Sequence, residues 1–123
     1  MRGLRFVAVL ALCFSFTVLL SAAPNQFGVA DKYQVTFDNP VMVGETMLPQ
    51  GDYQIVHTME GDTHIMVFTQ VHKKNPMEIR VKCSLVPLQE RATQTQKVYV
   101  MNANNERVLR ELIFKGDTAK HVF

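Results

Sequence analysis

The chain has little cysteine, with only Cys13 and Cys83 among its 123 residues. Cys13 lies in an N-terminal apolar run that is predicted to be removed during export, which leaves Cys83 alone. An internal disulfide is therefore excluded even in an oxidising compartment. Cys83 lies in a predicted strand, and three interpretations of it stay open: a small buried hydrophobic residue, a partly exposed thiol that pairs between chains, and a catalytic thiolate.

The chain also lacks an excess of charge of either sign once its N-terminus is discounted. It carries 13 Lys and Arg against 11 Asp and Glu. Arg2 and Arg5 lie in the predicted export signal, so the mature domain has 11 of each. A balanced domain lacks the basic footprint that nucleic acid requires. It also lacks the polybasic segment that docks to anionic lipid.

Only one long apolar run is present, and its layout is that of a secretory signal peptide. A short basic start, Met1 to Arg5, precedes an apolar centre from Phe6 to Leu20 and a small-residue exit at Ser21, Ala22 and Ala23. The centre is shorter than the roughly 20 residues of a membrane-spanning helix. We therefore expect an exported, periplasmic or secreted product without stable membrane insertion.

Two positions compete for the end of this signal. A cut after Ala23 would place Pro24 next to the cleaved bond, where its fixed φ and missing N–H suit a peptidase poorly. A cut after Ala30 uses Gly28 and Ala30 as the small residues. The second position is preferred, which predicts a signal peptide over 1–30 and a single β domain over 31–123.

Motifs of the common enzyme classes are missing. The chain has no G-x-S-x-G, H-E-x-x-H, phosphate loop or zinc-type cysteine pair. Its aspartates at 38, 52, 62 and 117 stand beside Gly, Pro or Asn, where turns recruit Asp for local capping. His72 adjoins two lysines at a predicted turn, and His121 falls in a tail expected to fray. No catalytic residue is predicted, and the chain is interpreted as a non-enzyme.

Apolar and polar residues alternate with period two after residue 30, and turn residues interrupt them every 8–12 positions. This pattern predicts an all-β domain, a small antiparallel β-sandwich or open barrel of about seven strands. The segment 106–115 is ambiguous because Val108, Leu109, Leu112 and Ile113 also have helical spacing. Its β-rich surroundings favour a strand.

Residues 35–55 carry a family resemblance. Phe37, Pro40, Val43 and Gly44, followed by the run Leu48-Pro49-Gln50-Gly51-Asp52-Tyr53, resemble a pattern of small exported bacterial proteins of the acidobacterial type, roughly F-x-x-P-x-x-V-x-G-x-x-L-P-A-G-x-Y. Gln50 replaces the usual alanine. The Leu-Pro-x-Gly-x-Tyr turn is also similar to that of transthyretin-like and carboxypeptidase-regulatory-like sandwich domains. The resemblance implies a sandwich and brings no catalytic residue with it.

Two His-x-Met triplets form the sharpest candidate for chemistry. If Gly61 and Asp62 make a two-residue turn, Met59 lies opposite His64 and His57 lies opposite Met66. Residues two apart share a face of a strand, so all four side chains would project together. Imidazole and thioether ligands suit copper, Cu(I) above all. The alternative is structural, because Tyr53, Ile55 and Phe68 make the same face look like a core wall.

Two functions follow from different classes. The first is a non-enzymatic binding or structural module of the cell envelope or exterior, without a cofactor, whose partner is an envelope protein or a glycan. The polar segment from Gln89 to Gln96 is its predicted contact edge, and a homodimer through an edge strand is a further option. The second is a periplasmic copper-binding protein that uses His57, Met59, His64 and Met66.

Overall fold

The computed structural model describes residues 27–123, so most of the signal peptide predicted over 1–30, its residues 1–26, lies outside the described residues. The described part is all-β. No helix within it is long and apolar enough to cross a membrane. Its nine strands are β1 (Lys32–Phe37), β2 (Val41–Val43), β3 (Thr46–Leu48), β4 (Gly51–Glu60), β5 (Thr63–Gln70), β6 (Glu78–Pro87), β7 (Gln96–Met101), β8 (Arg107–Ile113) and β9 (Ala119–Val122).

The predicted fold class is confirmed, and the ambiguous segment 106–115 contains the strand β8. The number of strands is nine rather than about seven. One strand that was not expected is β9, in the region around His121. The prediction of a frayed tail there is wrong, because β9 pairs with both β6 and β8.

The strands form one open sheet in the order β1-β4-β5-β6-β9-β8-β2-β3, and β7 pairs with β8 along its whole length. Neighbouring strands run antiparallel except at β2 and β8, which pair in parallel through Met42 and Val108. A purely antiparallel sheet was predicted. The parallel pair arises because five strands separate β2 from β8 along the chain, so no tight turn dictates their relative direction.

The hydrophobic core joins residues from opposite ends of this strand order. Phe37 of β1 and Leu48 of β3 belong to the same buried cluster as Phe68 of β5 and Leu109 of β8. Strands that far apart in a flat sheet could not share a core, so the sheet curls around its apolar face. Lys97 of β7 donates a hydrogen bond of 2.5 Å to the Thr36 carbonyl and thereby links β7 to β1.

The turn at Gly61 takes the predicted form, and the Leu-Pro-x-Gly-x-Tyr segment buries its tyrosine. Gly61 has a positive φ of 62° in the two-residue turn between β4 and β5, a backbone conformation that glycine adopts without steric cost. At the Leu-Pro-x-Gly-x-Tyr turn, Tyr53 is buried and its hydroxyl donates a 2.6 Å hydrogen bond to the Pro49 carbonyl. The ring of Tyr53 packs on Phe37 in the core.

Residues 27–30, which we call the N-terminal strap, pack against the sheet ahead of β1. Val29 is fully buried. The Thr118 amide donates a 2.8 Å hydrogen bond to the Gly28 carbonyl, and the Ala30 amide donates one of 2.8 Å to the Tyr33 hydroxyl. A Cβ atom at Gly28 would collide with the Thr118 side chain. The strap is thus an integral part of the described fold.

Candidate metal centre

The β4–β5 hairpin has the register on which the His-x-Met hypothesis depends. His57 pairs with Met66, and Met59 pairs with His64. Directly opposed residues of antiparallel strands point to the same face, so the four side chains share one face of the hairpin. A slip of one residue in the turn would have reversed this face.

The four predicted ligands differ in their exposure. His57 and Met66 are buried, whereas Met59 and His64 are half-buried near the turn. The Nε2 atom of His57 lies 3.0 Å from the Nδ1 atom of His64. Their rings are nearly parallel, with centroids 5.0 Å apart. The two histidines therefore meet, while Met66 extends the row into the core.

Two further residues reach this face from β6 and β9. Cys83 lies opposite His64 in the β5–β6 ladder. His121 lies opposite Leu85, two residues beyond Cys83, in the β6–β9 ladder. Because residues two apart on a strand share a face, Cys83 and His121 point to the side of the sheet that carries His57 and His64.

His57, Cys83 and His121, which we call the His–Cys cluster, form a compact donor set. One ligand atom from each lies within 4.8 Å of the other two. The Sγ atom of Cys83 is 3.9 Å from Nδ1 of His121. Metal bonds of about 2.0 Å to nitrogen and 2.3 Å to sulfur separate neighbouring ligand atoms by roughly 3 to 4 Å. The cluster thus needs only a small contraction to hold one ion.

Behind His121, a hydrogen-bonded chain fixes the orientation of its ring. Its Nε2 atom lies 3.4 Å from the Tyr33 hydroxyl. That hydroxyl donates its single proton to the Asp117 carboxylate, so the imidazole is the donor in its contact with Tyr33. This assigns the proton of neutral His121 to Nε2 and leaves the Nδ1 lone pair directed toward Cys83.

Burial keeps the cluster uncharged before any metal binds. Desolvation lowers the pKa of His121 to about 3, and the neighbouring His57 and His64 contribute in the same direction. Burial and the charge of His64 lower the pKa of His57, against a smaller opposing effect of Asp31. Burial raises the pKa of the Cys83 thiol to about 11. At neutral pH the cluster therefore consists of two neutral imidazoles and a thiol.

Tyr33 and Asp117, which continue the hydrogen-bonded chain behind His121, also have pKa values that their surroundings shift. Burial, followed by the hydrogen bond to Asp117, raises the pKa of Tyr33 far above its ordinary value. Burial also raises the pKa of Asp117, although its hydrogen bonds with Tyr33 and Ala30 and the charge of Arg91 oppose that effect. The Tyr33 hydroxyl consequently stays protonated and continues to donate to Asp117.

Aromatic rings enclose the cluster. Tyr33 stacks on Phe114 with a centroid distance of 3.7 Å, and both rings lie against His121. At the hairpin end, Phe27 of the N-terminal strap meets His64 edge-on at 4.9 Å. These rings limit the access of water to the donor atoms.

Sequence reasoning identified the hairpin histidines but missed three important residues. Cys83 is a buried free thiol, as the structural interpretation held, yet it also contacts a histidine. Asp117 was interpreted as a turn cap, and it accepts the Tyr33 hydrogen bond instead. One pattern in the sequence could have indicated the position of His121. Ala119 and His121 alternate with Lys120, as expected of a strand on which Ala119 and His121 face inward.

A separate cavity of about 540 Å³ lies between the β2–β3 turn and the first half of β6. Arg80, Lys82 and Arg110 line it together with Glu45 and apolar side chains. Arg80 forms an exposed ion pair with Glu60, a type of interaction that contributes little stability. None of the donors of the His–Cys cluster lines this cavity.

Comparison of the chain with protein families, with curated proteins and with solved structures finds no match. The resemblance to small exported bacterial proteins therefore stays a prediction, and the arguments on function rest on the residues themselves.

Proposed function

We propose that this chain is an exported copper-binding protein that holds one Cu(I) ion in the His–Cys cluster. The observation that carries the proposal is the convergence of three buried donors from three different strands, with ligand atoms no more than 4.8 Å apart. Thiolate and imidazole are soft and intermediate ligands, the combination that copper favours. The thioether of Met66, opposite His57 in the hairpin, adds a soft group beside the set.

Charge favours Cu(I) over a divalent ion. His57, Cys83 and His121 are at most 8% exposed, so a net charge left in the cluster would be costly. Cu(I) bound by one thiolate and two neutral imidazoles is neutral. Zn²⁺ bound by the same three groups would leave one positive charge, and no carboxylate belongs to the described cluster.

The proposed copper site lies deeper in the protein than the site predicted from the sequence. His57 is common to both ligand sets. Cys83 and His121 take the places first given to Met59 and His64, which lie nearer to the hairpin turn. Met66 keeps an adjacent position from which it can act as a weak additional ligand, as thioethers do in thiolate–imidazole copper sites.

The test is native mass spectrometry of the exported protein with Cu(I) under reducing conditions, followed by competition with a Cu(I) chelator. We expect one copper per chain, and its loss in Cys83→Ser and in the double variant His57→Ala/His64→Ala. The exposed His72, changed to Asn, is the matched control and should bind normally. Unfolding curves for each variant establish that it folds.

Three outcomes would overturn the assignment. Unchanged copper binding in Cys83→Ser would exclude the His–Cys cluster. Loss of binding in Met59→Leu/Met66→Leu but not in Cys83→Ser would return the site to the His-x-Met hairpin. Tighter binding of Zn²⁺ than of Cu(I) would replace copper with zinc.

The second candidate is an interaction module that pairs with a second copy of itself. The observation that favours it is the outer edge of β7, which among the strands of residues 27–123 pairs only with β8. Val100 and Met101 of this strand are exposed. The segment from Gln89 to Gln96, which was predicted to be the contact edge, is tied to the turn at 115–117. The Ala92 amide donates to the Asp117 carbonyl, and the Gly116 amide donates to the Ala92 carbonyl. The same mass spectra test this candidate, since they report monomer or dimer.

A further inference from the structure

His64 is the donor that connects the His–Cys cluster with the protein surface. Its Nδ1 atom is 3.0 Å from Nε2 of His57, whereas its side chain is half-buried at the hairpin end. His64 lies on β5, where it pairs with Met59 of β4 on one side and with Cys83 of β6 on the other. One row across three strands therefore runs from a half-exposed thioether through an imidazole to the buried thiol.

The ligands of the cluster are too deeply buried to receive a metal ion directly from a partner. His121 is fully buried, and Cys83 and His57 are nearly so. By contrast, His64 is only half-buried, and within residues 27–123 no hydrogen bond engages its Nε2 atom, which can carry the ring proton while Nδ1 binds the ion. Phe27, which is 37% exposed, lies beside His64 from the strap with its ring nearly perpendicular to the imidazole.

The distance between the two histidines allows a direct exchange of ligands. One ion with bonds of about 2.0 Å to nitrogen can contact two nitrogens up to roughly 4 Å apart. The observed 3.0 Å between His64 and His57 lies within that limit. An ion held by Nδ1 of His64 can thus bond to Nε2 of His57 before it leaves His64.

We infer that His64 carries Cu(I) between the hairpin end and the His–Cys cluster, and that the exchanging partner is a copper carrier with soft thiolate or thioether donors. The inference rests on the proposed function. Before copper arrives, one of the two facing nitrogens carries the proton of their hydrogen bond, and that imidazole changes tautomer, so that its proton passes by way of water to its other ring nitrogen. Copper then binds Nδ1 of His64, and as its bond to Nε2 of His57 forms, the bond to His64 breaks. Copper stays Cu(I), and the proton of the Cys83 thiol leaves to solvent.

The experiment measures transfer in both directions by stopped flow. Cu(I) complexed with glutathione is the donor, and bathocuproine disulfonate is the acceptor that withdraws copper from the loaded protein. In His64→Ala we expect the loading and the withdrawal rates to fall by an order of magnitude while the equilibrium affinity changes little. A residue that only carries copper lowers the activation barrier for both loading and withdrawal, and it leaves the free energies of the loaded and the empty protein unchanged.

Two further variants sharpen the test. Met59→Leu conserves volume and removes the thioether next to His64, so it should slow transfer without loss of stability. His72→Asn should leave both rates as they are. If His64→Ala leaves both rates unchanged, copper takes another route and the inference fails.

Failure of the inference is distinguishable from failure of the proposed function. If His64→Ala loses affinity to the same extent as Cys83→Ser, His64 is a permanent ligand rather than a shuttle, and the copper site itself stands. If the unmodified protein takes up no Cu(I), the proposed function fails.

Discussion

The Nδ1 atom of His121 lies 3.9 Å from the Sγ atom of Cys83, although 38 positions separate the two residues in the chain. The contact exists because β9 returns to pair with the second half of β6 and places His121 opposite Leu85. Both side chains are buried, so neither group exchanges freely with water. A thiol beside the lone pair of a neutral imidazole can become a bidentate metal site when it loses one proton.

That proton makes the proposed copper affinity dependent on pH. Because burial raises the pKa of Cys83 to about 11, the thiol is protonated throughout the physiological range and copper must displace its proton. The pKa of His121 is lowered to about 3 and that of His57 is lowered too, so proton competition from the imidazoles is weak above pH 6.5. The apparent affinity should therefore rise about tenfold per pH unit between pH 7 and 8.5.

A competition titration with a Cu(I) chelator, corrected for the chelator's own protonation, measures this slope. His72→Asn should reproduce it. In Cys83→Ser the residual affinity should lose most of the slope, because the proton that copper displaces is absent. A slope of two or three protons in the unmodified protein would mean that the histidines are also protonated, contrary to the prediction.

The Tyr33 hydroxyl should tune both metal affinity and stability. In Tyr33→Phe, His121 loses the partner of its Nε2 atom, and Asp117 and the Ala30 amide each lose a hydrogen bond. Loss of an outer-shell partner typically costs about 10–100-fold in metal affinity. Leaving buried polar groups unsatisfied lowers the free energy of unfolding by about 1–3 kcal/mol. Chelator competition and urea unfolding measure the two effects.

Tyr99→Phe is the matched control for this substitution. Tyr99 lies on β7, half-buried, and its ring contacts Arg107 at 4.9 Å, a contact that phenylalanine can retain. We expect its copper affinity to equal that of the unmodified protein. Equal losses in both variants would show that the effect of Tyr33→Phe does not arise from its link to His121.

The parts of the fold that depend on neighbouring residues were predictable from the sequence. The turn at Gly61 sets the β4–β5 register, so the approach of His57 to His64 could be derived from the positions of the residues alone. The contact of Cys83 with His121 could not be derived in this way. It depends on the formation of the four-residue strand β9 and on the pairing of β9 with β6. No local sequence pattern identifies β6 as the partner of β9. The parallel pairing of β2 with β8 is likewise determined by tertiary packing and not by neighbouring residues.

If the chain is exported as its N-terminus predicts, the N-terminal strap limits where the signal peptide can be cut without loss of stability. A cut after Ala30 would remove Val29, which is fully buried, and the hydrogen bond between Thr118 and Gly28. Burial of a valine side chain contributes about 1.5–3 kcal/mol, so a chain that begins at Asp31 should be less stable by at least that amount. Of the two predicted positions, we therefore now favour the cut after Ala23.

Intact-mass measurement of the exported protein decides between the two cuts, and urea unfolding of chains that begin at Pro24 and at Asp31 measures the contribution of the strap. Val29→Asp in the longer chain should reproduce the loss of stability. Phe27→Ala should cost less, because that ring is partly exposed. An exported chain that begins at Asp31 and is as stable as the longer one would contradict the role given to the strap.

His121 should make the metal-free protein sensitive to acid. Its folded pKa of about 3 lies below the ordinary value of 6.5, so between these values the unfolded chain binds a proton that the folded chain does not. Stability is therefore fully present above pH 6.5 and falls as the pH decreases, by about 1.4 kcal/mol per pH unit for one such group. His57 acts in the same direction because its pKa is also lowered.

Asp117 has the opposite effect, because its folded pKa is raised and protonation of its carboxyl favours the folded chain. The contribution of His121 must therefore be isolated by comparison with His121→Gln, which is neutral at every pH. The unmodified protein should be the more stable of the two near pH 7, since glutamine cannot reproduce both ring contacts. Their difference in unfolding free energy should narrow from pH 6.5 to 4.5 in urea titrations with a metal chelator present. His72→Asn, which removes an exposed histidine, should leave the narrowing of this difference intact. A difference in unfolding free energy between the unmodified protein and His121→Gln that stays constant with pH would mean that His121 does not stay neutral in the folded chain.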